Sequence, residues 1–306
     1  MTTTPAPAPQ HAKDSPHGSL APLALLVSVG SFLGLTANVV KIAAGAGWPP
    51  LAFLFWSALV AGFILLIAAA SRGETPGRRG PDFAYYLICG LLSIALPNAL
   101  GYGAVMHVGA SFVALCLALP PLLTYGLALL LNMEKLRATR ALGILTGLAG
   151  AIVLGVSKAK GSLADPIWII GALASPVFIA LGNIYRTLRW PPGASALSLA
   201  PGMLIFGSLL IAPILPLAGV SFAPTAFTSA VVWLLVAEIA IFSMTYALYF
   251  VLQKLAGPVY LSQIGSVAAI FGAALAVLAL GEPANTGLLI AAALILAGVV
   301  LVNRRR

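Results

Sequence analysis

Charge is what this sequence has least of. Of its 306 residues only 8% are Asp, Glu, Lys or Arg, while 61% are hydrophobic. An ordinary soluble domain is roughly a quarter charged. So apolar a chain cannot cover a water-facing surface, which argues against a cytosolic enzyme, a secreted domain or a nucleic-acid binder. Cysteine is nearly absent as well: Cys89 and Cys116 both fall inside apolar runs, which argues against a disulfide framework. Catalytic patterns are missing too. There is no HExxH, no Walker A loop, no Gly-x-Ser-x-Gly elbow and no pair of intramembrane aspartates. No enzyme activity, cofactor or metal is therefore expected, and any pumping must draw on gradients.

What is present is a succession of long apolar runs, with a mean hydropathy of +1.06. A spanning helix needs about 20 such residues. Breakers such as Trp48-Pro49-Pro50, Trp190-Pro191-Pro192-Gly193, Gly257-Pro258 and Gly281-Glu282-Pro283 divide the runs into ten spans. The spans lie at about 20–44, 50–70, 83–106, 109–132, 139–156, 166–188, 194–217, 228–253, 257–280 and 284–303. Residues 1–19 lack periodicity and read as a disordered tail, too weakly basic before too long a run for a signal peptide. Thirteen of the sixteen Lys and Arg residues fall on one side of this ladder; only Lys41, Lys158 and Lys160 fall on the other. Positive charge marks the cytoplasm, which places both termini, including 304–306, inside.

The halves resemble each other. Asn38-x-x-Lys41 before Trp48-Pro49-Pro50 recurs as Asn183-x-x-Arg186 before Trp190-Pro191-Pro192, and Gly109–Gly150 aligns without gaps on Gly257–Gly298. That register matches Glu134 with Glu282. Each copy, 20–157 and 166–303 with an external linker at 158–165, holds five helices. An odd number forces opposite insertion, the inverted duplication found in transporters.

In the order of these motifs the chain resembles the drug/metabolite transporter superfamily, in its ten-helix branch of paired EamA-type repeats. The carrying residues are Asn38–Lys41, Pro50-Leu-Ala-Phe53, Ser111–Pro121, the helix end at Leu130–Glu134, Gly143–Gly155, and Gly257–Glu282 with the Gly298 helix. The resemblance implies an all-α membrane fold and export of amino acids, related metabolites or drugs, with the aromatic amino acid and drug exporters as one branch. It also implies a central cavity lined by helices 1, 3, 4, 6, 8 and 9, with helices 5 and 10 peripheral. Two departures stand out. Phe55 and Trp56 occupy the place of a basic residue common in the family, and the doubled Pro120-Pro121 aligns with Ala268 and Ala269 in the second repeat.

Within the spans, Glu238 is the one well-embedded carboxylate. An ionisable group there costs at least about 2.5 kcal/mol at the bilayer centre, so it must face a cavity or a partner. Glu238, Phe242, Thr245 and Tyr249 share a helical stripe suited to an ammonium group and a ring; a structural glutamate bonded to a backbone amide or to Lys41 is the other reading. Asn98 and Tyr102 share a face beside Pro97, which frees the carbonyl of Ser93. Trp168, Ser175, Gly182 and Arg186 form a stripe on helix 6, with Trp168 open to an interface-belt role and Arg186, like Lys41, read as snorkelling. Pro120 and Pro121 mark a hinge or cavity wall, Gln263 and Ser266 are polar contacts, His107 is a solvated turn residue, and Gly143, Gly147 and Gly150 form a close-packing face.

The expectation is a multi-pass protein of the bacterial inner membrane, monomeric or weakly homo-oligomeric. It would export small organic solutes, aromatic amino acids favoured, by alternating access at a central cavity. The candidate substrate residues are Asn98, Tyr102, Trp168, Ser175, Glu238, Phe242, Thr245, Tyr249 and Gln263. Proton coupling through Glu238 is an expectation to test. The alternatives are a broad drug or cation exporter and, further off, an intramembrane enzyme or lipid scramblase.

Overall fold

A computed structural model describes residues 20–133, 135–161 and 165–303. The tail at 1–19, Glu134, the middle of the expected linker and Arg304–Arg306 lie outside the described residues. The described residues form helices and connections without strands.

In a bilayer no water serves backbone N–H and C=O groups, so each apolar run must satisfy them internally as a helix. Ten helical segments result among the described residues. They are α1 (Leu20–Gly45), α2 (Pro50–Ser71), α3 (Gly80–Val108), α4 (Ala110–Leu130), α5 (Ala138–Gly161), α6 (Pro166–Leu188), α7 (Ala196–Leu217), α8 (Ser229–Leu261), α9 (Ile264–Leu278) and α10 (Thr286–Asn303). The first eight contain stretches long and apolar enough to cross a membrane, and α9 and α10 are shorter apolar helices. Large side chains such as Ile67, Leu217, Trp233 and Leu278 stand on the outside, whereas Asn38, Asn183, Arg186, Glu238 and Thr245 are buried. That inside-out distribution suits a lipid solvent.

Contacts between helices follow the duplication. The pairings α1 with α9 and α1 with α8 are mirrored by α6 with α4 and α6 with α3, and α2 with α8 is mirrored by α7 with α3. Helices α2 and α7 pack on each other, as do α4 and α9, and α5 and α10. Small residues permit the closest approaches. Gly34 and Gly272 bring α1 against α9, Gly90 and Gly207 bring α3 against α7, and Gly143, Gly147 and Gly150 seat α5 on the Gly298 face of α10. The glycine face of α5 is therefore an internal contact.

Three helices are interrupted. α3 contains a π turn at Leu91–Ala95, just before Pro97. α4 breaks at Leu117–Leu119 and restarts on Pro120-Pro121, where missing N–H groups cost least. α7 breaks after Ile211. The break expected at Gly257-Pro258 lies instead at Ser262–Gln263, and α8 runs on to Leu261. The cause is conformational. Gly109 adopts φ +91 and turns the chain sharply between α3 and α4, whereas the helix of α8 continues through position 257. The interruptions of the two repeats meet, because a Cβ on Gly265 would collide with the carbonyl oxygen of Leu117.

A Cβ on Gly298 would fall 2.6 Å from the Gly143 carbonyl oxygen and 2.7 Å from Gly147 N. Gly298→Val should therefore wedge α5 from α10 and destabilise the fold by about 1–3 kcal/mol. Gly126→Ala, with nothing within 4 Å of the added carbon, should be close to neutral. Thermal unfolding of the two variants in detergent checks both.

Candidate functional site

A small cavity lies where α1, α3 and α4 of the first repeat meet α6 of the second. Thr36 and Ala37, Asn98 and Tyr102, Cys116, and Ser175 are among its walls. Four of the six helices named by the family resemblance thus line it, and α8 stands directly behind. Its volume is about 40 Å³. One water needs roughly 10–15 Å³ on this measure, and ligand pockets run to roughly 300–1,000 Å³. The cavity has room for a few waters and is too small for an organic solute.

Local chemistry sets the walls. Pro97 has no N–H to give the carbonyl of Ser93. Asn98 supplies the missing donor, its Nδ2 lying 3.3 Å from Ser93 O and 2.9 Å from Ile94 O. Ser175 Oγ donates to the Pro97 carbonyl at 2.9 Å, pinning α6 to α3. One turn beyond Asn98, the Tyr102 hydroxyl donates to Glu238 Oε1 at 2.8 Å. Glu238 is fully buried. Its Oε2 has no well-formed hydrogen bond, although the Thr36 hydroxyl faces it. Tyr102 and Thr36 therefore form a thin wall between the cavity and the carboxylate.

Phe242 stands a turn further along α8 and packs on Tyr246, and Thr245 is buried with no hydrogen-bond partner for its hydroxyl. Tyr249 closes the stripe some 16 Å from Glu238 along the helix axis. There it meets Arg186, a residue that the sequence reading assigned to the interface. Arg186 is only 1% exposed, so it does not snorkel. Its Nε donates to Gln253 at 3.1 Å, and its Nη2 to Asn183 at 2.6 Å and to Tyr249 at 2.5 Å; its Nη1 donates to Ser93. The guanidinium carbon also lies 5.1 Å from the Tyr249 ring centroid. No carboxylate among the described residues touches it. Burying a cation costs several kcal/mol unless hydrogen bonds offset it, and here neutral oxygens and the Met203 sulfur, 3.9 Å from Nη1, supply them.

Other candidates stand apart. Trp168 sits near the start of α6 and stacks on His107, rings parallel at 4.2 Å. His107 is thus a packed residue in the last helical turn of α3, not a residue of the connection. Gln263 lies in the turn that opens α9, partly exposed and outside the cavity walls. Pro120 and Pro121 are buried just past the α4 break; it is Cys116 and Leu117, on its near side, that face the cavity.

Comparison with known proteins places this architecture. Residues 20–156 match the EamA-like transporter family. Through that first repeat, a little under half of its length, the chain is similar to the EamA-like transporter family. It is a multi-pass membrane transporter and not an enzyme. A protein of Streptantibioticus cattleyicolor described as a probable terminal-alkyne amino-acid exporter is 26% identical over 257 residues, 80% of this chain and 81% of that one. A protein of known crystal structure shares the fold with a TM-score of 0.61 at 21% identity, over 93% of this chain and 98% of that one.

A second polar network ties the helices near one end of the cavity. On the face opposite the chain termini, Lys41 Nζ meets Glu282 Oε1 at 2.5 Å. Glu282 also accepts from Ala110 N at 2.7 Å, from Ser111 N at 2.9 Å and from the Ser111 hydroxyl at 2.5 Å. One carboxylate thus joins the end of α1, the start of α4 and the α9–α10 connection below a vestibule of about 260 Å³. Lys41 pairs here and not with Glu238. Burial alone would raise the Glu282 carboxyl, but the Lys41 ammonium, the Ser111 hydroxyl and two backbone N–H groups outweigh it and hold it below the ordinary value of 4.5.

Removing that carboxylate leaves two N–H groups and an ammonium without their acceptor. Glu282→Ala should cost about 2–4 kcal/mol. A depressed carboxylate pKa gives stability that is complete above the unfolded value and lost as pH falls through the folded one. The difference in unfolding temperature between wild type and Glu282→Gln should therefore be full at neutral pH and vanish on acidification below 4.5. A pH series of unfolding temperatures reads it.

Proposed function

We propose that the protein exports small organic solutes, namely amino acids, aromatic ones favoured, and related metabolites, by alternating access at the cavity between its repeats. The observation that carries this reading is the Tyr102–Glu238 pair behind the cavity wall, a buried carboxylate among Phe242 and Tyr246 that suits a substrate ammonium group beside a ring. The name of the relative, an amino-acid exporter, supports it. Asn98, Ser175 and Thr245 add polar contacts at neighbouring depths. The repeats at 20–157 and 166–303 rock about the meeting breaks of α4 and α9. Substrate enters from the cytoplasm, where both termini lie by the distribution of Lys and Arg, and leaves across the bacterial inner membrane.

A second reading, a broad exporter of organic cations, draws on the same carboxylate. Its Oε2 is the one buried anionic acceptor in the spans without a well-formed bond among the described residues. Counterflow in proteoliposomes with labelled phenylalanine, threonine and a quaternary ammonium dye separates the two. Saturable exchange of an amino acid, lost in an Asn98/Tyr102 double substitution, is the expected result. Exchange of the dye alone would select the cation reading, and exchange of none of the three would remove both.

Glu238 also carries the proposed proton coupling. Protonation would release the Tyr102 hydroxyl and turn an acceptor into a donor during the cycle. Glu238→Gln mimics the protonated form, so its flux should lose pH dependence while the wild type keeps it. Identical pH profiles for the two would remove proton coupling at this residue.

A further inference from the structure

The six-residue stretch from Ser175 to Ala180 faces the cavity through Ser175 and Ile179, and Gly182 and Arg186 continue that stripe at helical spacing. Arg186 therefore lies on the line of the cavity, about 10 Å beyond Ile179 towards the termini. At the matching place in the first repeat, Lys41 has a carboxylate partner in Glu282. Arg186 has none among the described residues. Its donors end on a serine, a tyrosine, an asparagine, a glutamine and the sulfur of a methionine, all neutral.

We propose that Arg186 is the anchor for the carboxylate of the transported solute, an inference that rests on the amino-acid reading above. A guanidinium binds a carboxylate through two parallel N–H bonds, each stronger than a bond to a neutral oxygen. In the closed structure, the hydroxyls of Ser93 and Tyr249 occupy the Nη1 and Nη2 edges where those oxygens belong. Both are exchangeable. Ser93 lies in the π turn of α3, an irregular ladder of the kind common at functional positions. Tyr249 already donates to Asn183 Oδ1 at 2.8 Å and keeps that partner when the guanidinium turns to an anion. Opening of the cavity towards the termini puts the solute carboxylate in their place.

The spacing has a further consequence. Glu238 is some 16 Å from the Tyr249 level, further than the two charges of an amino acid are apart. Arg186 and Glu238 thus act as successive stations, the carboxylate being met first on the way from the terminal face. Arg186 also repels an organic cation that lacks a carboxylate.

The test is counterflow of labelled phenylalanine in proteoliposomes, competed by unlabelled phenylalanine and by phenylalaninamide, which keeps the ring and the amine. Wild type should be inhibited at least about tenfold more effectively by the acid, and Arg186→Gln should compete equally with both. Equal competition in the wild type, or unchanged discrimination in Arg186→Gln, would overturn the assignment while leaving amino-acid transport intact. Exchange of neither compound by the wild type would overturn the amino-acid reading and this inference together. If Arg186→Gln is not recovered folded, Tyr249→Phe carries the test. Removing the competing hydroxyl should lower the half-saturating phenylalanine concentration about threefold and leave the amide unmoved; no change in either sinks the proposal.

Discussion

Inside a bilayer a polar group has only other protein groups to turn to, and that constraint organises this molecule. Lipid offers the outer helix faces no hydrogen bonds, so those faces are rich in leucine, isoleucine and phenylalanine, whereas Asn38, Asn183, Arg186, Glu238 and Thr245 are buried. The glycine contacts at Gly34, Gly90 and Gly298 bring the helices close enough for short side chains to reach across. Asn38, for example, donates to the Gly272 carbonyl at 3.0 Å from the neighbouring helix. The cavity, the Glu238 pair and the Arg186 cluster all occupy the same inter-repeat space.

The duplication supplies two cations at equivalent positions, and the fold treats them differently. Lys41 is held by an acidic residue that also caps α4, a rigid arrangement joining three segments. Arg186 is held by neutral side chains on α3, α6 and α8. An ion pair with several additional bonds resists opening more than a guanidinium among hydroxyls and amides. The two ends of the transporter are thus unequal in the closed structure, the far face being the more firmly tied.

Much of this was legible in the sequence, since apolar runs and breakers report directly on what a bilayer demands. The ten spans, the glycine face of α5 and the shared faces of Asn98 with Tyr102 and of Glu238 with Tyr249 all follow from helical periodicity. The release of the Ser93 carbonyl by Pro97 followed from the chemistry of proline alone. What escaped depends on which helices meet. Arg186 precedes Trp190-Pro191-Pro192 by four residues and reads as an end-of-span residue; only the packing of α3 and α8 around it buries it. The signal available was its stripe with Ser175 and Gly182. Trp168 and Gln263 share polar or aromatic character with the site but lie at other depths, and composition carries no depth. The helix break expected at Gly257-Pro258 moved because a glycine permits a turn without compelling one.

The π turn in α3 has a consequence for how such a site can change over time. A π turn is in effect one extra residue within a helix, and each residue advances an α-helix by about 100°. Asn98 and Tyr102 both follow Leu91–Ala95, so their direction towards the cavity and towards Glu238 depends on that extra residue. Loss of a single codon there would restore a regular helix and rotate everything after it by more than a quarter turn, carrying Tyr102 away from Glu238 with no side chain in the site replaced. In this protein the position of the binding surface is a matter of reading length, so related chains are to be compared first by insertions and deletions in α3 and only then by the residues that line the cavity.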